Sequence, residues 1–476
     1  MRKRGILIFL LAFVPALLGA QTKAKYIFYF IGDGMGMGHV HTTEAYNRMV
    51  LGNTDPLLML TFPYGGQVRT HSANNPITDS AAAGTALSTG EKTNNYMVAV
   101  TPDSLPIKSI SYALFHAGYR VGIGSSVFGD DATPSAFYAN AYNRSDRRVI
   151  APQIAKSHFS FFGFPILKGA QDSLGNPDPK WYGLMHDTGF TLTHNADSLA
   201  ALKTSPYKAI LLAEKPDGAQ VGYTIDSLPG ALTLQQITKA ALNQVYNRTD
   251  KDYPNFFIMI EGGNIDWAAH ANDGGAVIKE VLNFQKAIDV AYQFYLQHPD
   301  ETLIVVTADH DTGGMALGRR DNRRPDLSLV DFQRISKDRF SDYCKARYKE
   351  GKSFTWPMMR EFLGQNLGFF GAVKVSEKQE KELRESFERI FHQGKGRDVK
   401  TLYNDFNQYA EQVFDLFNSK LGIGWTTSNH TGNPVPVYAV GVGAEAFGRA
   451  LDNTQIPMLI LKAAGVEKPK PFQKMH

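Results

Sequence analysis

The chain has 476 residues, 43% of them hydrophobic and 20% charged, with a formal net charge of +4 at pH 7. That length can bury a large core, and a charge this small, spread along the chain, leaves no nucleic-acid or membrane-surface footprint. A single cysteine, Cys344, excludes an intramolecular disulfide, so stability must rest on core size, with bound metal the remaining aid open to it.

The amino terminus reads as a secretory signal over residues 1–20. MRKRG is positively charged, ILIFLLAFVPALL is apolar but too short to span a bilayer, and GAQ offers small residues for cleavage after about Ala20. Residues 21–476 are then expected to form one exported domain, periplasmic or extracellular, with no membrane span after cleavage. Apolar runs come next at 26–31, 120–125, 209–214, 256–261, 303–308 and 435–441, with helical stretches between them. Unbroken runs of this kind suit strands buried on both faces. Their alternation with helices predicts an α/β fold with a mostly parallel central sheet flanked by helices on both faces. Between about 317 and 428 long polar stretches with helical periodicity predict a mainly helical insertion.

The residues just after the strand candidates carry the chemistry. The first run ends in GDGMG with Asp33, the fourth in EGGNIDWAAH with Glu261, Asp266 and His270, and the fifth in ADHDTGG with Asp309, His310 and Asp311. Carboxyl ends of strands in open α/β sheets converge on one crevice. Asp266 and His270 share one helical face, although such a pair alone is more often a surface ion pair. His430, in SNHTGNP, would alone be an ordinary loop residue. Together these groups supply enough imidazole and carboxylate for two zinc ions, while Asp33, Glu261 and Thr133 offer hard oxygens that suit magnesium. Ser80 comes after Asp79 at the start of the helix-forming run SAAAGTALSTG, where the helix dipole and unpaired N–H groups favour an anion. No Ser-His-Asp partner lies nearby in sequence, so metal activation is the better account of a serine nucleophile; the bland alternative is an N-capping serine.

IGDGMG, TDSAAAGTA, DATP with Arg144 thirteen positions after Asp131, EGGNIDWAAH, ADHDTGG and NHTG occur in the order in which they occur in the alkaline phosphatase family, which the chain closely resembles from Lys25 to Gly443. The resemblance implies that Asp266, His270 and His430 hold one zinc ion, and that Asp33, Asp309 and His310 hold a second beside Ser80. It also implies a magnesium site in which Asp33, Thr133 and Glu261 are direct ligands and Asp131 acts through water. Arg144 would grip two phosphate oxygens with its planar fork. In-line attack by Ser80 on a phosphate monoester, a phosphoserine and its hydrolysis by water are implied as well, with wide tolerance of the alcohol. Trp267 departs from the Lys or His that many relatives carry after the zinc-binding aspartate and removes a cation near the phosphate, while Asp131 favours magnesium by its hardness. A homodimer is suggested by the resemblance alone. Phosphodiester or sulfate hydrolysis on the same metal core, and metal or phosphate binding without turnover, are the competing functions.

Overall fold

Ten strands share one sheet in the computed structural model, which describes residues 23–196, 208–213, 222–228, 230–246, 254–322, 324–396, 398–400 and 405–468. The leader expected over 1–20 lies outside the described residues. The first eight strands are β1 (Tyr26–Gly32), β2 (Tyr64–Arg69), β3 (Tyr119–Ser125), β4 (Phe161–Phe164), β5 (Phe190–Thr193), β6 (Lys208–Leu212), β7 (Asn255–Glu261) and β8 (Thr302–Ala308). Six short strands come after them: β9 (Asp311–Thr312), β10 (Ala316–Leu317), β11 (Asp398–Lys400), β12 (Asp405–Asn407), β13 (Ile423–Gly424) and β14 (His430–Thr431). The sheet is completed by β15 (Val435–Gly441) and β16 (Ala450–Asp452), and its order is β16-β2-β15-β8-β1-β7-β3-β4-β6-β5.

Seven neighbouring strands, β8 through β5 in that order, are parallel, and β15 alone runs against its neighbours β8 and β2. The direction of β15 matters for the site. Its first residues lie where β8 ends, with Val437 opposite Thr307, so the segment just before β15 reaches the carboxyl edge of the parallel strands.

The strand sequences explain the layers. Every residue of β3 and β8 is buried, as a strand covered on both faces requires. In β1 the side chains alternate between faces: Phe28 and Phe30 meet Phe294 and Phe284 of the helix Gly274–Gln297, whereas Tyr29 meets Phe137 and approaches the carbonyl of Leu87. Helices therefore cover both faces. Each such side chain contributes about 1.5–3 kcal/mol by leaving water.

Between β10 and β13, which pair antiparallel, the chain runs through the helices Lys337–Tyr348, Trp356–Leu367, Glu377–Phe387 and Gln408–Leu421. Phe340, Tyr343, Phe362, Phe387 and Tyr409 pack this region from within; Tyr343 and Phe362 stack with ring centres 3.8 Å apart. Among the described residues no helix is long and apolar enough to cross a membrane.

Candidate metal centre

The run of tiny side chains after Ser80 is a helix, Ser80–Thr89, all ten of whose residues are buried. Asp79, in extended conformation, is its N-cap and accepts from Ala82 N at 3.0 Å; Ser80 is the first helical residue, not the cap. Small residues let the helix approach its neighbour closely: a Cβ at Gly84 would sit 3.1 Å from Thr133 Cα. The same helix thus fixes Ser80 beside the segment that carries Asp131 and Thr133.

Three parallel strands deliver the remaining groups at one edge. Register places Glu261, at the end of β7, opposite Ile31 of β1 and Ser125 of β3, and Gly32 opposite Ala308 of β8. Asp33 and Asp309 are the next residues in their chains. After β7 the helix Asn264–His270 sets Asp266 and His270 one turn apart, Nε2 to Oδ1 3.4 Å, both buried. Gly34 has φ +70° and donates from its N–H to Asp309 Oδ1 at 3.0 Å; a Cβ there would lie 2.8 Å from Asp266 Oδ1, so glycine is required. His430 arrives by the pairing of β14 with β9, opposite Thr312.

The sequence-derived residues meet. Asp33, Asp309 and His310 present ligand atoms within 4.8 Å of one another, with His310 Nε2 3.4 Å from each carboxylate. His430 Nε2 lies 3.0 Å from His270 Nε2 and 3.8 Å from Asp266 Oδ1, which closes the second triad. His310 borders both, because its ring stacks on His430 with centres 3.6 Å apart, and Asp266, His310 and His430 also come within 4.8 Å.

Hydrogen bonds on the far side of each ring decide what faces the centre. His270 Nδ1 meets Ser428 O at 2.6 Å and His430 Nδ1 meets Thr78 O at 2.8 Å. Carbonyls only accept, so both Nδ1 atoms carry the proton. Thr312 Oγ1 donates to Asp266 Oδ1 at 2.5 Å and accepts from His310 Nδ1 at 3.2 Å. All three imidazoles consequently turn an unprotonated Nε2 inward, the arrangement a metal-binding histidine needs.

Ser80 Oγ lies 3.1 Å from His310 Nε2, a contact that separation in sequence hides. It does not build a Ser-His-Asp triad. Asp33 and Asp309 crowd Nε2, the atom that faces Ser80, whereas an orienting acid must hold Nδ1.

The carboxylates are short of partners. Asp33 Oδ1, Asp131 Oδ2, Glu261 Oε1 and Asp266 Oδ2 are buried with no hydrogen-bond partner, a costly state for anions unless cations answer them. Burial, reinforced by the charges of Asp309, Asp266 and Glu261, drives the Asp33 carboxyl well above the usual range. Burial likewise pushes Glu261 up to about 8, against a hydrogen bond from Ser125, and Asp309 up to about 7 with the help of Asp266. Burial lowers His270 to about 4 and His310 well below its ordinary value. Crowded acids that resist ionising and imidazoles that resist protonation are both relieved by divalent cations, so the donor set fits metal binding.

Asp131 differs. Burial alone would raise it, yet the guanidinium groups of Arg147 and Arg144 outweigh burial and hold it below the usual range. Arg144 is clamped from both sides, Nη1 3.3 Å from Asp79 Oδ2 and Nη2 3.1 Å from Asp131 Oδ1. Thr133 Oγ1 is 3.3 Å from Asp309 Oδ2, and Glu261 Oε2 accepts from Ser125 Oγ, so the hard-oxygen set adjoins the Asp33 triad.

Several supporting groups stand out only in the folded chain. Asp79 was visible as a cap signal, an Asp before a helix-forming run, but its grip on Arg144 was not. Thr312 and Ser125 carry no pattern of their own. Asp311 turns away from the centre, accepting from Thr431 Oγ1 at 2.5 Å and lying 3.6 Å from the buried His39. Trp267 packs edge-on to Phe128 at 5.0 Å, and the Phe128 ring carries Lys168 Nζ at 3.9 Å and Arg147 at 4.9 Å. Cations from elsewhere in the chain therefore stand near the position where Trp267 supplies none.

Residues 24–159 and 180–466 match the family model described as alkaline phosphatase. Alkaline phosphatase 4 of Bacillus subtilis is 27% identical over 451 residues, 93% of this chain and 89% of that protein; alkaline phosphatase 3 of the same organism is 27% identical over 461 residues, 94% and 90%. A crystal structure of a cold-active alkaline phosphatase from a psychrophilic Shewanella species superposes with a TM-score of 0.76 at 26% identity, covering 93% of this chain and all of that one. Sequence, fold and buried acid-imidazole clusters agree, and the chain belongs to the alkaline phosphatase family of phosphatases.

Proposed function

We propose that the protein hydrolyses phosphate monoesters to an alcohol and inorganic phosphate through a phosphoserine on Ser80, over a broad range of alcohols. The observation that carries this reading is one juxtaposition: the Ser80 hydroxyl, at a buried helix N-terminus, stands 3.1 Å from an imidazole that belongs to one acid-imidazole triad and stacks on a histidine of the other. In this reading Asp266, His270 and His430 hold one zinc ion, and Asp33, Asp309 and His310 hold the other. Asp33, Thr133 and Glu261 hold magnesium, which Asp131 reaches through water. Cations bound there neutralise charge on the attacking and leaving oxygens and lower the pKa of a hydroxyl or water.

The chain's own groups do the rest. The positive end of the helix Ser80–Thr89 favours the phosphate dianion. Arg144, clamped by Asp79 and Asp131, holds two non-bridging oxygens and leaves the alcohol opposite Ser80 for in-line displacement. Ser80 Oγ bonds to phosphorus as the ester bond to the alcohol breaks, and the alcohol oxygen takes a proton. Water then attacks the phosphoserine from the side the alcohol vacated, releasing phosphate and restoring the serine hydroxyl. Trp267, packed on Phe128, bounds the phosphate site without adding charge. The leader over 1–20 makes export to the periplasm or beyond part of the proposal.

Turnover of a chromogenic phosphate monoester, a diester and a sulfate, with and without chelator, tests the reading. The monoester is expected to be fastest, chelation to abolish activity, zinc with magnesium to restore it, and Ser80→Ala to remove it. Equal activity in Ser80→Ala would end the serine-nucleophile reading; a faster diester or sulfate would end the monoester assignment.

A further inference from the structure

A cavity of about 540 Å³ opens beside Asp79, the cap of Ser80's helix, and is lined by Ile77, Tyr96, Arg144, Asn429 and His430, among others. Its size falls within the roughly 300–1,000 Å³ typical of small-molecule pockets. Arg144 and His430 belong to the phosphate end. At the lip the lining changes: the side chains of Ile77 and Tyr96 are large and apolar yet 42% and 54% exposed. The Tyr96 ring stacks on no other ring among the described residues.

Tyr96 is also held in an unfavourable backbone conformation, φ +73°. For a bulky residue this is an outlier that survives only when its surroundings over-determine it. Here they do. Tyr96 N donates to Asp79 Oδ2 at 3.1 Å, and Tyr96 O accepts from Arg144 N at 2.8 Å. The preceding residue, Asn95, accepts from Asp79 N at 3.2 Å and donates to Ile77 O at 3.1 Å. The loop that leads to the nucleophile and the turn that carries Tyr96 are thereby latched together, and the ring is fixed in register with Ser80 and Arg144. Asp79 is the one acid in the lining, and Arg144 and two backbone N–H groups already engage it.

We infer that Tyr96 and Ile77 form a leaving-group platform that favours phosphate monoesters whose alcohol portion carries a flat aromatic or heteroaromatic ring. This rests on the phosphomonoesterase reading and narrows it. The phosphate sits on Arg144 and the helix N-terminus while the ring of the alcohol lies on Tyr96, with Ile77 closing one edge. Stacking of this kind adds only a few-fold, so the range of substrates stays wide.

The test compares kcat/KM for phenyl phosphate, a nucleoside 5′-monophosphate and ethyl phosphate in the metal-replete mature protein and in Tyr96→Asn, Tyr96→Phe and Ile77→Ser. Asparagine tolerates the left-handed backbone, so the latch through Tyr96 N and O is retained while the ring is lost. Dividing each planar-ring value by that for ethyl phosphate removes effects common to the phosphate site. Dividing variant by wild type removes intrinsic reactivity. The resulting ratio is expected to fall about three- to tenfold in Tyr96→Asn for at least one planar substrate, to fall less in Ile77→Ser, and to hold within about twofold in Tyr96→Phe. A fall confined to phenyl phosphate assigns the platform to aryl esters, and one confined to the nucleotide assigns it to bases. An unchanged ratio for both in Tyr96→Asn, or an equal fall in Tyr96→Phe, overturns the inference. Should Tyr96→Asn not be recovered folded, Ile77→Ser decides alone. Calorimetric binding of phenylphosphonate against ethylphosphonate reads the same platform without turnover. A wild type that hydrolyses no monoester but still prefers the phenyl ligand would defeat the proposed function and leave the platform standing.

Discussion

Removing divalent cations and then raising the pH from about 6.5 to 8 is expected to destabilise the protein, the reverse of what buried ion-paired carboxylates do. In the folded chain burial holds the Glu261 proton to about pH 8, whereas an ordinary glutamate releases it near 4.5. Between those values Glu261 makes the folded state bind more protons than the unfolded one; His270 and His310, kept neutral by burial, act in the opposite sense below about pH 6.5, so stability falls from about 6.5 upward and levels off above about 8. Over roughly 1.5 pH units, from about 6.5 to 8, this amounts to about 2 kcal/mol at 1.36 kcal/mol per pH unit. Asp309, held up to about 7, shares the same cluster and the same cause, so its effect overlaps with that of Glu261 and is not added. A chain of this length has an unfolding entropy of about 1 kcal/mol/K, so the melting temperature of the metal-free protein should drop by about 2 °C across the range. Scanning calorimetry of chelator-treated protein in matched buffers measures it. Metal-loaded protein should lose the slope or invert it, because deprotonated ligands bind cations better. A metal-free melting temperature that is flat or rises from about pH 6.5 to 8, or the same profile with and without metal, would refute the reasoning.

Arg144→Lys replaces a clamped planar fork by a point charge and is expected to weaken competitive inhibition by inorganic phosphate about 10- to 100-fold, read as an inhibition constant. Thr312→Val removes the hydroxyl that joins Asp266 to His310; zinc should then be lost to a competing chelator at about 10- to 100-fold lower chelator concentration, while Thr312→Ser retains it. Titrating Mg²⁺ into metal-stripped, zinc-loaded protein should raise both the rate and the bound magnesium in the wild type and neither in Glu261→Gln.

Six apolar runs in the sequence coincide with β1, β3, β6, β7, β8 and β15, since strands buried in mid-sheet announce themselves by hydrophobicity. The strands that escaped are exposed or too short to stand out as a run, β4 although its four residues are apolar and buried. β2, YGGQVR, is mostly exposed and owes its place to backbone pairing with β15, while β4 and β5 have four residues each and β16 has three. In the site, the acids and imidazoles were legible because they stand just past strand ends. The place of His430 was legible only through the family resemblance, because it depends on β15 running antiparallel, a property of the whole sheet that no local pattern carries. The grip of Asp79 on Arg144, the bridge through Thr312 and the latch around Tyr96 join segments far apart in the chain. They are contacts of folded loops and have no periodicity to read.

The most direct measurement is the identity of the residue that carries phosphorus during turnover. Metal-replete protein mixed with a labelled phosphate monoester, quenched in acid, digested and mapped by mass spectrometry should yield one phosphorylated peptide, modified at Ser80, and none after chelation or in Ser80→Ala. Label on another residue, or rapid turnover with no label on Ser80 and undiminished rate in Ser80→Ala, would contradict a serine nucleophile primed by the metal centre.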